Sequence, residues 1–286
     1  MNSSMDPATA LTTALDNSTK VANTPLFATV IDRMLGFKIS EWAAQGDAIK
    51  RQILDGYEDA KQKGLGIQYV SAFRANANLL NTGVKASKYI DATTQQDIKI
   101  DNDVFWGLIE HSKEISNEDV QELIAKIIAG EYNVPGTYSM STLQVLKMLG
   151  KPELELFERM CGFLLDKSRI PPELFHLGDD VKDFMSALNL DFGSLQTLQS
   201  LSLILPNEMT QTIPNPDKKN YHSSYFDKAL VFTPIDDNYK EIKLPDHYGL
   251  SAVGAQILRH LSPKFNNAFY EWLKKHYSVP HYKLIE

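Results

Sequence analysis

An amphipathic segment at residues 116–130 constrains the fold of this chain more than any other feature. Apolar side chains recur there at helical spacing, and both ends carry helix boundary signals. Ser116 is predicted as the N-cap because Asp119 lies three residues later, and Gly130 ends the pattern. The segment therefore predicts a helix with one buried face. The residues on that face are Val120, Leu123, Ile124, Ile127 and Ile128.

A tight corner is predicted directly after this helix. Pro135 and Gly136 suit the two central positions of a type II turn, the second of which requires a positive φ angle. Ser139 or Ser141 would begin the next helix, and the dipole at a helix N-terminus favours an anion. We therefore expect Glu131 to accept hydrogen bonds from that N-terminus. The predicted rigid corner, a structural motif without reactive groups, consists of Ser116, Glu131, Pro135, Gly136 and Ser141.

Helical spacing continues through most of the chain, and the last third also contains two strand candidates. Ala229–Phe232 and Lys240–Leu244 are predicted to form a β-hairpin around a turn at residues 236–238. Helix, helix, hairpin, helix is the order of a winged-helix-like module, so the predicted fold is mainly α, a helical bundle with a winged-helix-like C-terminal third. The predicted regions are a flexible leader (1–23), an N-terminal helical region (24–100), a helical domain (101–170) and a winged-helix-like region (171–286).

The predicted N-terminal helix carries a continuous apolar face and begins after Thr24-Pro25. Isolated helices of this length are marginal in water, so the face must be buried in the core, a second copy or a partner. We expect the helix over residues 24–60 to mediate self-association or binding to a protein partner. The proposed interaction residues are Leu26, Val30, Ile31, Met34 and Leu35.

The charge of the chain argues against nucleic-acid binding. It has 29 Lys and Arg residues against 36 Asp and Glu residues, a net charge of −7. The helix that would read DNA in a winged-helix module, Leu195–Ile204, contains no Lys or Arg, whereas phosphate contacts depend on such groups. We therefore expect no nucleic-acid partner.

Few residues point to catalysis or to a cofactor. The single cysteine, Cys161, lies in an apolar stripe and is expected to be a buried structural residue. No histidines pair at i, i+4, and no phosphate-binding glycine loop occurs. We predict no catalytic, cofactor-binding or metal-binding residue and lean against an enzyme. Without a run of 18 apolar residues or a secretory signal, the sequence predicts a cytoplasmic protein with no transmembrane segment.

One stretch of the chain, over roughly residues 100–280, resembles a known bacterial family. Its features are an aromatic-led helix at Val104–Ile109, a helix ending in Ala129-Gly130-Glu131, the Pro135-Gly136 turn, a Ser/Thr-Leu helix at Ser139–Leu149, Phe157 and the segment Leu250–Gly254. This pattern is similar to that of the Abi-alpha (abortive infection) proteins. The resemblance implies a role in defence against phage, or carriage by a mobile element, and it supplies no catalytic residues.

The leading functional hypothesis is a non-enzymatic interaction protein of a bacterial or mobile-element anti-phage defence system. Two alternatives from other classes stay open. The first is a nucleic-acid-binding winged-helix regulator. The second is a hydrolase whose site is assembled from scattered residues such as His111, Asp183 and His247.

Overall fold

The first 147 residues are mainly helical wherever the structure describes them. The computed structural model describes residues 6–18, 39–91, 103–175, 179–235 and 240–285. The chain divides into two compact units, residues 1–147 and 148–286. The helices that begin in the first unit are α1 (Pro7–Ser18), α2 (Ile39–Gln62), α3 (Gly66–Ala86), α4 (Asp103–Ser112), α5 (Glu118–Asn133) and α6 (Met140–Met148).

Helix α5 confirms the predicted apolar stripe, since all five predicted positions are buried. The predicted N-cap is wrong. Asn117 has the extended backbone of a cap, and its Oδ1 accepts hydrogen bonds from the N–H groups of Asp119 (3.1 Å) and Val120 (3.2 Å). The Ser116 hydroxyl instead accepts a hydrogen bond of 3.1 Å from Asn78 Nδ2 on α3. Asn117 thus fixes the start of α5, and Ser116 joins it to α3.

The N-terminal segment is helical where a flexible leader is predicted. Helix α1 buries Ala8, Leu11 and Ala14, which repeat at helical spacing, and it packs against α3. The apolar face is narrow in the sequence, because Ala8 and Ala14 are small and Leu11 is the one large apolar residue on it. One face of α1 therefore belongs to the core of the first unit.

The proposed interaction face of the N-terminal helix, from Leu26 to Leu35, lies outside the described residues. The end of the same predicted helix is seen in α2, where Tyr57 and Ala60 are buried. The Tyr57 ring lies 5.6 Å from the ring of Phe73 on α3. This end of α2 is thus part of the core of the first unit, while binding through the Leu26–Leu35 face stays a prediction.

The second unit combines helices with short strands. Its helices are α7 (Lys151–Cys161), α8 (Asp179–Ala187), α9 (Phe192–Ser200), α10 (Ala252–Leu258) and α11 (Asn267–His276). Its strands are β1 (Arg169–Ile170), β2 (Ile204–Met209), β3 (Thr212–Pro214), β4 (Tyr221–Tyr225), β5 (Lys228–Pro234), β6 (Glu241–Lys243), β7 (His247–Leu250) and β8 (Tyr282–Leu284). Among the described residues these strands form three antiparallel sheets, in the orders β1-β7-β2, β3-β6 and β4-β5-β8.

These sheets overturn the predicted fold class, because the protein is mixed α/β and not a mainly α, winged-helix-like fold. The predicted hairpin does not form. Strand β5 pairs with β4 and β8, whereas β6 pairs with β3, with Ile213 opposite Ile242. Strands β1, β3 and β8 have only two or three residues, too few to show the alternation that marks a strand in sequence, so they were missed.

Strand β4 has the alternating burial of a strand with one covered face. Tyr221, Ser223 and Tyr225 are buried, while His222 between them is exposed. The Tyr225 hydroxyl donates a hydrogen bond of 2.7 Å to the carbonyl of Gly162. This anchor at one end of β4 leaves Tyr221 and Ser223 on the same inward face, where the candidate site is found.

No helix in the described parts of the chain is both long enough and apolar enough to cross a lipid bilayer.

Candidate functional site

A tight loop between Leu165 and Arg169 forms one wall of the candidate site. The two residues exchange backbone hydrogen bonds of 2.7 and 2.9 Å, so the loop between them is closed like a short hairpin. Asp166 and Lys167 have φ angles of 49° and 58°, in the left-handed region. This conformation costs about 1–2 kcal/mol per non-glycine residue, so other contacts must hold the loop.

Strand β4 supplies those contacts through Ser224. The Asp166 N–H donates to the Ser224 carbonyl at 2.8 Å. In return, Asp166 Oδ1 accepts hydrogen bonds from the Ser224 N–H (2.6 Å) and the Ser224 hydroxyl (3.0 Å). Three hydrogen bonds between two residues thus fix the loop to the strand.

The second oxygen of the same carboxylate organises a buried arginine. Asp166 Oδ2 accepts a hydrogen bond of 3.0 Å from the Ser223 hydroxyl and forms an ion pair with Arg169 Nη2. Arg169 is 7% exposed, and its Nη2 also donates to the Tyr221 hydroxyl at 2.6 Å. A buried guanidinium is tolerated when it is paired and hydrogen-bonded, which is the arrangement here.

The Arg169 charge also acts on a nearby phenol. Burial raises the pKa of Tyr277 to about 12, and the positive charge of Arg169 partly opposes that shift. Tyr277 therefore stays protonated at neutral pH and contributes a neutral hydroxyl beside the network.

A cavity of about 380 Å³ opens next to this network, within the second unit. Its volume lies in the range of small-molecule sites in proteins. Strands β1, β2, β3, β4 and β7 each contribute side chains, both polar and apolar. The lining residues are Asp166, Ser168, Arg169, Met209, Gln211, Ile213, Tyr221, His222, Leu244, His247, Gly249 and Leu250.

One of the two histidines in the lining is held by the backbone. His247 is 6% exposed, and its Nδ1 lies 3.0 Å from the carbonyl of Pro245. A carbonyl can only accept, so Nδ1 carries the proton of this bond and Nε2 is the ring atom left for another partner. His247 thus brings a positioned, buried imidazole to the cavity.

Of the three residues proposed for a hydrolase, the structure places His247 alone in this cavity. Asp183 lies on α8 in the same unit. His111 belongs to the first unit, where it is buried and its Nε2–H donates to the Leu146 carbonyl at 3.2 Å. Burial raises the pKa of the Cys161 thiol, with a smaller effect from Glu158, so the thiolate is disfavoured.

The predicted corner forms with different partners. Gly136 has a φ angle of +84°, which confirms the positive φ expected of the turn. Glu131 is 1% exposed and accepts hydrogen bonds from the N–H groups of Gly136 (2.7 Å) and Tyr138 (3.0 Å), which precede α6. These two donors belong to the turn, whereas the sequence predicts donors at the N-terminus of α6.

Of the two serines predicted to begin α6, Ser139 does so and Ser141 does not. The Ser139 hydroxyl accepts a hydrogen bond of 3.2 Å from the Thr142 N–H and caps the helix, whereas Ser141 is exposed in the first turn. Pro135 is exposed at the turn.

Sequence reasoning missed the residues that build the Arg169 network. The available signal was weak: Asp166 and Arg169 occur three residues apart in a polar loop that leads into Ile170-Pro171-Pro172. The polar partners Tyr221 and Ser223 lie 52 and 54 residues further along the chain from Arg169, so no local pattern connects them.

The two units together define a mixed α/β protein, and its second unit contains a cavity lined by polar and apolar residues. The chain belongs to the family described as "Protein of unknown function (DUF2806)", whose family model matches residues 70–274. The matched region begins in α3, ends in α11 and includes every residue that lines the cavity. Neither a curated protein nor a solved structure matches the chain. The family match does not connect the chain with the Abi-alpha proteins, so that link stays a prediction.

Proposed function

We propose that this chain is a non-enzymatic interaction protein of a bacterial or mobile-element anti-phage defence system, and that its second unit binds a ligand in the cavity beside Arg169. The observation that supports binding is the buried guanidinium held at the cavity wall by Asp166 and Tyr221. A concave site with a few convergent polar groups is the usual form of a small-molecule site.

The energetics of the Arg169 loop favour a role in recognition over one in stability. A buried ion pair contributes little net stability compared with apolar side chains of the same volume. Two consecutive left-handed residues, Asp166 and Lys167, add strain to the same loop. Such costs are common where a fold positions a side chain for a ligand, and here they position Arg169.

Binding is favoured over catalysis because the carboxylate at the cavity wall is already engaged. Both oxygens of Asp166 accept hydrogen bonds, which leaves this carboxylate poorly placed to act as a general base. The thiol of Cys161 is buried and has a raised pKa, so it is a poor nucleophile.

The defence setting is proposed from the similarity of the Val104–Leu149 segment to the Abi-alpha proteins. The described geometry of that segment is compatible with a structural role. Its acidic residue Glu131 is buried and fastens the turn before α6. The segment therefore supplies a scaffold, and recognition is assigned to the cavity of the second unit.

A phage challenge tests this proposal. A bacterial host expressing the full chain is compared with a host carrying an empty vector, and plaques are counted for a panel of phages. We expect fewer plaques with the wild-type chain and recovery of plaque numbers with Arg169→Met or with Ile213→Trp, which narrows the cavity. Arg259→Met, which removes an exposed arginine of the same unit, is the matched control and should protect like wild type.

Two results would contradict the proposal. Equal plaque numbers with the wild-type chain and the empty vector across the panel would remove the defence setting. Full protection by both Arg169→Met and Ile213→Trp would show that defence does not depend on the cavity.

A further inference from the structure

We infer that the cavity beside Arg169 binds a small organic anion, with a carboxylate or phosphate group on an apolar body. The inference rests on the proposed function and names the chemical class of its ligand. It depends on which polar atoms of the lining are already used and which are left for a ligand, and on the apolar side chains beside them.

Arg169 retains hydrogen-bond donors after its protein contacts are made. Among the described residues, Asp166, Tyr221 and Ser223 all contact the same atom, Nη2. A guanidinium carries five N–H donors, so those on Nε and Nη1 are left for a ligand. Because the group is fixed at Nη2, a ligand oxygen meets a positioned cation and little side-chain entropy is lost on binding.

The carboxylate of the lining is, by contrast, already occupied. Among the described residues that line the cavity, Asp166 is the only carboxylate. Its oxygens accept hydrogen bonds from Ser223 and from both the N–H and the hydroxyl of Ser224. A cationic ligand would therefore find no free carboxylate, whereas an anion finds free N–H donors on Arg169.

His247 adds a second positioned polar atom. Its Nδ1–H is used by the Pro245 carbonyl, so Nε2 is left for the ligand. This atom accepts from a ligand hydroxyl when the ring is neutral and donates to an anionic oxygen when the ring is protonated. Both arrangements suit an oxygen-rich head group near Arg169.

The rest of the lining suits a hydrocarbon body. Met209, Ile213, Leu244 and Leu250 contribute apolar side chains to the same cavity. An inorganic ion would leave this apolar surface uncovered, whereas an apolar body on the anion would remove it from water. The combination of free donors and apolar wall therefore selects an organic anion.

Four small probes with similar aromatic bodies test the inference on the full chain. Phenylacetate and phenyl phosphate are the anions, benzylamine is the cation and benzyl alcohol is the neutral control. Binding is measured by isothermal titration calorimetry and by saturation-transfer NMR. We expect one or both anions to bind, with the better of the two identifying a carboxylate or a phosphate ligand, and we expect no binding of the amine or the alcohol.

Variants of the cavity locate that binding. Arg169→Met and Ile213→Trp should each weaken binding of the better anion about ten- to a hundredfold, the scale of one charge-assisted hydrogen bond or of a filled site. Arg259→Met should bind as wild type does. Melting curves check that each variant is folded, and Ile213→Trp keeps Arg169 and its partners if Arg169→Met fails to fold.

Three results would overturn the inference: binding of neither anion, equal binding of the amine or the alcohol, or unchanged anion binding in both cavity variants. Its failure is distinguishable from failure of the proposed function. Binding of the alcohol or the amine would keep a ligand site while removing the anion, and the phage challenge is read independently of all four probes.

Discussion

Glu131 Oε1 accepts a hydrogen bond of 2.7 Å from the backbone N–H of Gly136, which closes the chain into a corner after helix α5. The other carboxylate oxygen accepts from the N–H of Tyr138 at 3.0 Å. A turn between two helices leaves backbone N–H groups without helical partners, and a buried carboxylate satisfies two of them here. The corner therefore depends on one side chain as well as on its turn residues.

Replacement of Glu131 tests that dependence. Glu131→Gln keeps the size of the side chain but places an amide N–H₂ group where one backbone N–H needs an acceptor. We expect a loss of about 1–3 kcal/mol in the free energy of unfolding, the cost of a buried unsatisfied polar group. Urea denaturation measures it. Glu110→Gln, at an exposed ion pair with Lys113, should cost no more than about 1 kcal/mol, and equal losses would contradict the assignment.

A substitution at Gly136 tests the turn without introducing a steric clash. A Cβ at this position would meet no atom within 4 Å, so the cost of Gly136→Val comes from its φ angle of +84°. We expect about 1–3 kcal/mol of destabilisation in thermal or urea unfolding. Gly56→Val is the control, because Gly56 also has open space around it but lies in α2 with a negative φ. If Gly136→Val destabilises the protein no more than Gly56→Val does, the positive φ angle of the turn is contradicted.

Helix α1 should contribute to the stability of the first unit. Leu11 is 5% exposed, so Leu11→Ala removes buried methyl groups and should lower the free energy of unfolding by about 2–5 kcal/mol. Thr13→Ala, at an exposed position of the same helix, should change it by less than about 0.5 kcal/mol. If both variants melt at the wild-type temperature, α1 is not part of the core.

The full chain should not bind duplex DNA. Its net charge is −7, and helix α9 contains no Lys or Arg to contact phosphates. Binding is measured by fluorescence anisotropy with a labelled duplex at about 50 mM salt, because phosphate contacts are strongest at low salt. Sub-micromolar binding that weakens steeply with added salt would instead restore nucleic acid as a partner.

The cap of helix α9 should make stability depend on pH. Hydrogen bonds from Ser194, chiefly from its hydroxyl and also from its backbone N–H, lower the pKa of Asp191 below its usual value. Because the folded-state pKa is the lower one, this stabilisation is present above the unfolded-state pKa and is lost as pH falls through the folded-state pKa. Asp191→Ala should cost about 0.5–2 kcal/mol at neutral pH, and its difference from wild type should shrink on acidification.

The matched control for that cap is Asp191→Asn. An asparagine side chain also caps helices, but it does not titrate. Urea denaturation at neutral and at acidic pH measures the free energy of unfolding of this variant. At neutral pH, Asp191→Asn should lower that free energy less than Asp191→Ala does. A pH dependence for the asparagine variant equal to that of wild type would assign the effect to other groups.

Local patterns in the sequence predicted much of the helical structure and little of the sheet structure. The buried stripe of α5 follows from side-chain spacing, because each turn of a helix repeats the same short interval. Strand β3 has three residues, and its partner β6 is separated from it by two other strands. Pairing of this kind depends on contacts that are distant in the sequence, so the predicted hairpin joined β5 and β6 wrongly.

The candidate site was inaccessible to sequence reasoning for the same reason. Asp166 and Arg169 form an ordinary-looking polar pair until β4 brings Tyr221 and Ser223 beside them. His247 was singled out for its chemistry, and the structure places it at the cavity, but its expected partners His111 and Asp183 are not among the lining residues. Residue type alone therefore identified one residue of the cavity lining, His247, and not the network.

The pairing of β1 with β7 has a consequence for how the second unit folds. Arg169 lies opposite Gly249, so this small sheet joins segments that are far apart in the chain. The entropy cost of closing so long a loop must be met before the contacts that compensate it can form. For this reason, proteins rich in distant pairings fold more slowly than helical ones. The mainly helical first unit should therefore acquire protection from hydrogen exchange early during refolding. Protection at Arg169 and Gly249 should come late, which makes the cavity one of the last parts of the protein to take shape.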